Sequence, residues 1–151
     1  MGNETAFAVR NEHFERDARQ HFAAHGLMRQ LGAWLVSVEP GASTIELPMS
    51  QRVTQHDGYF HGAALGAIGD TAGGFAAFSL FEPGDSVVTV EYKINFIRPA
   101  RGALLRATGS VLRVGKSLTT VTVSLESGAH DALEPCALML ATMARVPAQR
   151  E

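Results

Sequence analysis

The residues best suited to chemistry lie between His61 and Asp70. Asp70 is the single charged residue in a run of small and apolar residues from Gly62 to Phe81. Burying a carboxylate there is costly unless it is paired, hydrogen-bonded or protonated. Such an acid is suited to act as a general base or a nucleophile. His61-Gly62 reads as the start of a helix over the same run. The Gly62 amide then lies at a helix amino terminus, where free N–H groups and the dipole favour negative charge. Glycine also lets a substrate approach the backbone closely. An acid that delivers the attacking group, with an N–H that receives charge on a carbonyl oxygen, makes a carbonyl-addition site.

Eight residues separate Gly62 from Asp70, about 12 Å along a helix. One carbonyl cannot touch both groups on the same helix. A two-fold dimer with antiparallel central helices would supply Gly62 from one chain and Asp70 from the other, giving two equivalent sites.

The elements that position these residues follow from patterning. Residues 1–10 read as a loose terminus. Phe14, Ala18, Phe22 and Leu27/Met28 recur at helical spacing, predicting a helix over 11–31, capped by Asn11 and interrupted at Gly26. Trp34–Glu39 and Thr44–Pro48 read as strands around Pro40-Gly41-Ala42. The central helix is expected over 62–81, ended by Glu82-Pro83-Gly84-Asp85. Gly66, Gly69, Gly73 and Gly74 weaken it by about 1 kcal/mol each relative to Ala, which implies close packing against other elements. Four strands follow as a meander: Val87 to Phe96 in alternating pattern, Leu104–Val114, Leu118–Glu126 and Leu133–Val146. The fold class is α+β, an antiparallel sheet wrapped around one long central helix in a single domain over 1–151. A helix apolar all round needs cover on most of its surface, which one sheet does not provide, so a second subunit is expected.

Composition narrows the function. The formal charge is −2, which argues against a nucleic-acid partner. A membrane span over the central run would place Asp70 near the bilayer centre, at about 3 kcal/mol on insertion scales, so no membrane partner is expected. The lone Cys136 excludes an internal disulfide, and with no secretory pattern at the start the chain reads as cytoplasmic.

The segments Gln55, His61-Gly62-Ala63 and Asp70-Thr71-Ala72-Gly73-Gly74-Phe75, followed by Thr89-Val90-Glu91-Tyr92-Lys93-Ile94-Asn95-Phe96-Ile97-Arg98-Pro99, resemble the hotdog-fold acyl-CoA thioesterases of the phenylacetic-acid-pathway (PaaI-like) type. The resemblance runs from about His25 to Val146. It departs from the family at Ala63, which replaces the second Gly of His-Gly-Gly, and at Gln55, which stands where Asn is common. It implies acyl-CoA hydrolysis in a homodimer or homotetramer, with no metal or organic cofactor and a site shared between subunits. Asp70 would be the base or nucleophile and the Gly62 N–H would polarise the carbonyl. Gln55 would orient the water or the carbonyl, and Thr89 would assist the acid. His61 would shape the loop or touch substrate.

No acid lies between Glu91 and Glu126, whereas Lys93, Arg98, Arg101, Arg106, Arg113 and Lys116 all do. Arg98, Arg101 and Lys116 lie in or beside turns and are the candidates for the CoA phosphates. The acyl group's room depends on Phe75, Phe78 and Met139. His21 and His25 share a helical spacing, but no third metal ligand is evident, and they read as an exposed helix face. Two other functions fit the same residues. A hotdog hydratase or dehydratase would need a histidine such as His61 or His56, and a non-catalytic acyl-CoA binding module would not need Asp70.

Overall fold

The computed structural model describes residues 7–149. Two short helices, α1 (Phe14–Ala24) and α2 (Gly26–Leu31), precede strands β1 (Trp34–Glu39) and β2 (Ala42–Pro48). The central helix α3 (Gly62–Phe78) follows, then β3 (Ser86–Phe96), β4 (Leu104–Val114), β5 (Leu118–Ala129) and β6 (Ala132–Val146). One antiparallel sheet, in the order β1-β2-β4-β5-β6-β3, wraps around α3.

The glycines of α3 set how closely helix and sheet pack. A Cβ on Gly69 would lie 2.8 Å from Met139 Cε, and one on Gly73 would lie 3.0 Å from Met143 Cε and Val121 Cγ2. From the sheet side, a Cβ on Gly109 of β4 would lie 2.5 Å from the Ala72 carbonyl oxygen. Ser43 of β2 donates to that carbonyl at 2.7 Å. Helix backbone and sheet backbone therefore nearly touch. The intrinsic weakness of a glycine-rich helix is offset by burial that larger residues would prevent.

Four expectations are corrected. The central helix stops at Phe78, because Ser79 caps it and Leu80 and Phe81 tighten into a turn; Ser79 Oγ accepts from Gly41 N–H at 2.8 Å. The segment over 11–31 is two helices, a break that Gly26 signalled, but the break falls at His25, which takes an extended backbone (ψ 104°), and Gly26 opens the second helix. Asn11 does not occupy the cap position, which is His13. Its side chain instead accepts from His13 N–H at 2.9 Å and donates to Asp17. The expected loose terminus falls partly outside the described residues, but Phe7 packs over Gly41.

The fourth correction matters most for the site. β3 does not begin the meander. It crosses to the far edge of the sheet and pairs with β6 alone, and its period of two is broken by a bulge at Val90, between Thr89 and Glu91. Before the bulge, Val87 and Thr89 face α3; after it, Tyr92 and Phe96 do, against Gly66 and Gly62, with Ile94 packed on the core. A bulge shifts the strand by one residue and so re-aims side chains. Here it turns Thr89 and Tyr92 toward the same helix despite their odd spacing.

Candidate active site

Each end of the proposed chemistry is built by local rules. At the amino end of α3, His61 has extended backbone (φ −65°, ψ 137°), and its Nδ1 accepts from Ala63 N–H at 2.9 Å. The Ala64 and Leu65 N–H groups donate to the His61 carbonyl. Among the described residues no acceptor meets the Gly62 N–H. That N–H is therefore available, with the helix dipole behind it, to receive an anionic oxygen. The Phe96 ring lies against Gly62 on the side where a Cβ would project, at 3.2 Å.

Gln55 sits in the loop before α3. Its Oε1 accepts from the backbone N–H groups of Asp57 and Tyr59, which fixes the loop and leaves its Nε2 unspent by either bond. Gln55 and Gly62 line one cavity of about 460 Å³ with Tyr59, Phe96 and Arg98.

Asp70 lies half-buried two turns further along, rather than sealed inside. Thr89 Oγ1 donates to Asp70 Oδ1 at 2.7 Å. Both line a second cavity of about 380 Å³, whose walls are His21 and His25 from the α1–α2 segment, Gly74, Phe75 and Phe78 from α3, and Val87 from β3. The predicted residues thus fall into two half-sites. Asp70 stands with Thr89, and Gly62 stands with Gln55.

The basic candidates divide as well. Arg98 and Arg101 line a third cavity, of about 420 Å³, beside the Gly62 half-site. Arg98 pairs with Glu134 at 2.7 Å. Arg101 lies 4.6 Å over the Tyr59 ring and donates to its hydroxyl at 3.0 Å. Lys116 is not with them: it lies in the β4–β5 turn, at the other end of the sheet. Met139 does not line the Asp70 cavity, because it is fully buried against Gly69.

His21 and His25 were read as an exposed helix face. Both keep exposed surface, yet their rings also turn onto the core aromatics: His21 lies 5.0 Å from Phe78, and His25 lies 5.5 Å from Phe75. Burial holds the His25 imidazole below the usual histidine range. The neighbouring His21 lowers it further, and Asp70 acts in the opposite sense. Cys136, expected in the core, is buried there, and burial pushes its thiol up. Among the described residues no cluster of three metal-ligating side chains occurs, and no helix is long and apolar enough to cross a membrane.

The family model named thioesterase superfamily matches residues 57–132, the span that carries Gly62, Asp70, Thr89 and the three basic candidates. The chain belongs to the thioesterase superfamily. A Halobacterium salinarum protein named as an esterase is 34% identical to this thioesterase over 113 residues, 72% of this chain and 74% of its own length. A 1,4-dihydroxy-2-naphthoyl-CoA hydrolase of Listeria monocytogenes is 30% identical over 92 residues, 61% of this chain and 75% of its own. A solved thioesterase family protein from Silicibacter pomeroyi is 32% identical, with a TM-score of 0.84 over 87% of this chain and 96% of that one. The E. coli PaaI protein from the phenylacetic acid degradation operon has the same fold, with a TM-score of 0.81 at 20% identity over 94% of this chain and 99% of its own. The protein is a thioester hydrolase on a PaaI-like hotdog fold.

Proposed function

We propose that this thioesterase hydrolyses an acyl-CoA thioester to the free acid and CoA in a site shared by two subunits. The observation that carries this reading is the division of the site. Asp70 with Thr89 opens into one cavity and Gly62 with Gln55 into another, and each holds half of what thioester hydrolysis needs. The partner's Gly62 would polarise the thioester carbonyl while Asp70 either takes a proton from the attacking water or attacks directly; the C–S bond breaks and the sulfur leaves with the CoA, and in the second case water then hydrolyses the acyl anhydride on Asp70 to the free acid. Thr89 holds one oxygen of Asp70 and leaves the other free for reaction. The Gln55 amide N–H₂, which neither loop bond uses, would orient the carbonyl. The curated relative that acts on a naphthoyl-CoA supports a CoA thioester as substrate. Arg98 and Arg101, at the Gly62 half-site, would meet the CoA phosphates.

The free edge of β3 supports the pairing of subunits. It exposes Val88, Val90, Tyr92 and Phe96, an apolar edge that monomers normally avoid. A two-fold axis bringing Gly62 to the partner's Asp70 must pass near Gly66, four residues from each. On β3 the stretch from Thr89 to Phe96 centres on Tyr92 and Lys93. Those two midpoints coincide in one contact, because a Cβ on Gly66 would lie 3.1 Å from the Tyr92 hydroxyl. An axis at Tyr92 sets Glu91 opposite the partner's Lys93, and Lys93 opposite the partner's Glu91. An axis at Lys93 would set like charges opposite one another, which is unfavourable.

The test is thiol release from a panel of short, long and aryl acyl-CoAs, for wild type and Asp70→Ala. Release that falls to background with Asp70→Ala supports the reading. Tight CoA-ester binding without turnover in wild type points to a binding module, and water addition to an enoyl-CoA points to a hydratase. The histidines that a hydratase was expected to use line neither cavity: His61 caps α3 through its Nδ1, and His56 is exposed beside Asp57.

A further inference from the structure

The bulge at Val90 decides which residues of β3 can stand opposite one another between subunits. Val90 has no counterpart on β6, where Thr89 pairs with Met143 and Glu91 with Thr142. It is an extra residue in the ladder, so side chains on either side of it swap parity. Val87 and Thr89 turn toward α3 before it, and Tyr92, Ile94 and Phe96 do so after it. Opposed residues of an antiparallel pair share a face of the sheet. With the two-fold axis at Tyr92, Glu91 stands opposite the partner's Lys93. Past the extra residue, Thr89 then stands opposite the partner's Ile94, Val88 opposite the partner's Asn95, and Val87 opposite the partner's Phe96. An unbulged count would instead set the outward Val88 against the inward Phe96.

We propose that the partner's Phe96 completes the wall of the Asp70 cavity beside the thioester carbonyl and limits the bulk that the acyl group can carry on the carbon next to it. This inference rests on the shared-site reading and assigns that site a specificity-determining residue supplied across the subunit boundary. Val87 lines the cavity that holds Asp70 and Thr89. Phe96 lines the cavity that holds Gly62 and Gln55, and its ring tip lies 3.2 Å from where a Cβ on Gly62 would project. Opposed side chains in an antiparallel pair have Cβ atoms about 4.5–5.5 Å apart, so the partner's ring reaches Val87. One phenylalanine thereby touches the oxyanion donor of its own chain and the cavity wall of the other. It stands over the bond from the carbonyl to the first acyl carbon, where the two cavities join. Within one protomer this ring is 55% exposed, so more than half of it is left for another surface to cover. A rigid ring packed on both sides has no room to yield to an added methyl group.

Cysteine pairs read the contact without reference to activity. Opposed strand residues have Cα atoms within disulfide range, about 4.4–6.8 Å. A chain carrying Val87→Cys and Phe96→Cys should form a covalent dimer on mild oxidation. The two positions are too far apart on one strand, about 30 Å, to bridge within a chain, and the native Cys136 is buried. Val88→Cys with Phe96→Cys, the pair that an unbulged strand would align, should stay unlinked. In a protein that sediments as a dimer, linkage through Val88 rather than Val87, or no linkage at all, overturns the proposal. A protein that sediments as a monomer takes the shared-site reading down with it. The second measurement is kcat/KM for an unbranched acyl-CoA and its 2-methyl analogue in wild type, Phe96→Leu and Phe96→Ala. One methyl group in an apolar pocket changes kcat/KM by roughly tenfold or more. The wild-type preference for the unbranched ester should narrow by about tenfold in Phe96→Ala and by less in Phe96→Leu. A fall of both esters by the same factor would make Phe96 a prop for Gly62 alone and overturn the proposal. If no ester is hydrolysed, the hydrolase reading falls, and the cross-links still decide whether Phe96 meets the partner's Val87.

Discussion

Thr89 Oγ1 donates to Asp70 Oδ1 at 2.7 Å, and the donor reaches that carboxylate because β3 carries a bulge at Val90. The bond holds one oxygen of Asp70, which lines the same cavity as Thr89. Thr89→Val keeps the shape and removes the donor. A hydrogen bond to a charged group contributes about 1.5–3 kcal/mol, so kcat should fall roughly ten- to hundredfold, with KM little changed. Thr89→Ser should retain most of the rate. Steady-state thiol release measures both. An unchanged kcat in Thr89→Val would remove Thr89 from the chemistry.

The shared site makes a prediction that a self-contained protomer does not. Gly62→Pro removes one N–H at the first helical position, where the helix accepts proline and His61 already has the extended backbone that precedes it, provided that the exposed Phe96 ring, 3.2 Å from a Cβ there, shifts by a few tenths of an ångström. Loss of one oxyanion donor costs about 10²–10³ in kcat. Asp70→Asn should be at least as damaging. Each variant alone is then nearly inactive. Co-expressed and randomly paired, they give hybrid dimers with one intact site, and activity should return to about a quarter of wild type. Recovery near zero, in hybrids whose formation mass spectrometry confirms, would place both groups of each site in one chain.

The pairing register is open to a charge test. With the axis at Tyr92, Glu91→Lys sets two lysines against each other across the interface and should shift the protein toward monomer in sedimentation velocity. Glu91 also accepts from Thr142 at 2.6 Å, so loss of that bond must be separated from interface repulsion. The double variant Glu91→Lys, Lys93→Glu restores the complementary pairs and should restore both the dimer and the activity. A double variant as dissociated as the single one would put the axis elsewhere.

The sequence announced α3, its cap and all six strands, because binary patterning and turn residues act locally. The limits of β4 agree with the structure at both ends. The placement of β3 was not readable, since an edge position depends on which partner strand is free once the helix has crossed the sheet. The bulge was hidden for a related reason: Val88, Val90, Tyr92, Ile94 and Phe96 all suit a strand in either parity. His21 and His25 are exposed, as the helical spacing suggested, but the spacing did not show that one side of each ring meets Phe78 and Phe75. Gln55 and His61 were found by type, but the sequence did not show that Gln55 Oε1 and His61 Nδ1 are already committed to the backbone. Lys116 was grouped with Arg98 and Arg101 by charge and by its place in a turn, and neither reports which end of a sheet the turn reaches.

The His25 ring should titrate below the ordinary histidine range, because burial and the neighbouring His21 disfavour its charged form more than Asp70 favours it. Its proton resonances, followed by NMR against pH and assigned with His25→Gln, should show a midpoint below the ordinary histidine value. The linkage follows in sign. An unfolded chain takes up this proton near pH 6.5, and the folded protein does so only at lower pH. The stability from neutral His25 is therefore present above about pH 6.5. It is lost as pH falls through the folded value. In His25→Gln the decline of urea stability across that interval should be shallower. A His25 midpoint at or above the ordinary histidine value would contradict the burial that lowers it.

Helix–sheet contact gives a last prediction, on stability alone. Gly69→Ala and Gly109→Ala each add one methyl group at the α3–sheet boundary, but they meet different atoms. The Gly69 Cβ would confront Met139 Cε at 2.8 Å, the far end of a flexible side chain that can swing aside. The Gly109 Cβ would confront the Ala72 carbonyl oxygen at 2.5 Å, with the Gly73 nitrogen at 2.9 Å, and helix backbone cannot yield locally. That same carbonyl accepts from Ser43, so pushing α3 away also strains a buried hydrogen bond. Overpacking costs about 1–3 kcal/mol. Gly109→Ala should fall at or beyond the upper end of that range in urea titrations, whereas Gly69→Ala, which also gains helix propensity, should fall near the lower end. A Gly109→Ala variant as stable as wild type would mean that α3 is free to lift from β4. The spacing that holds Asp70 at the level of Thr89 would then need another origin.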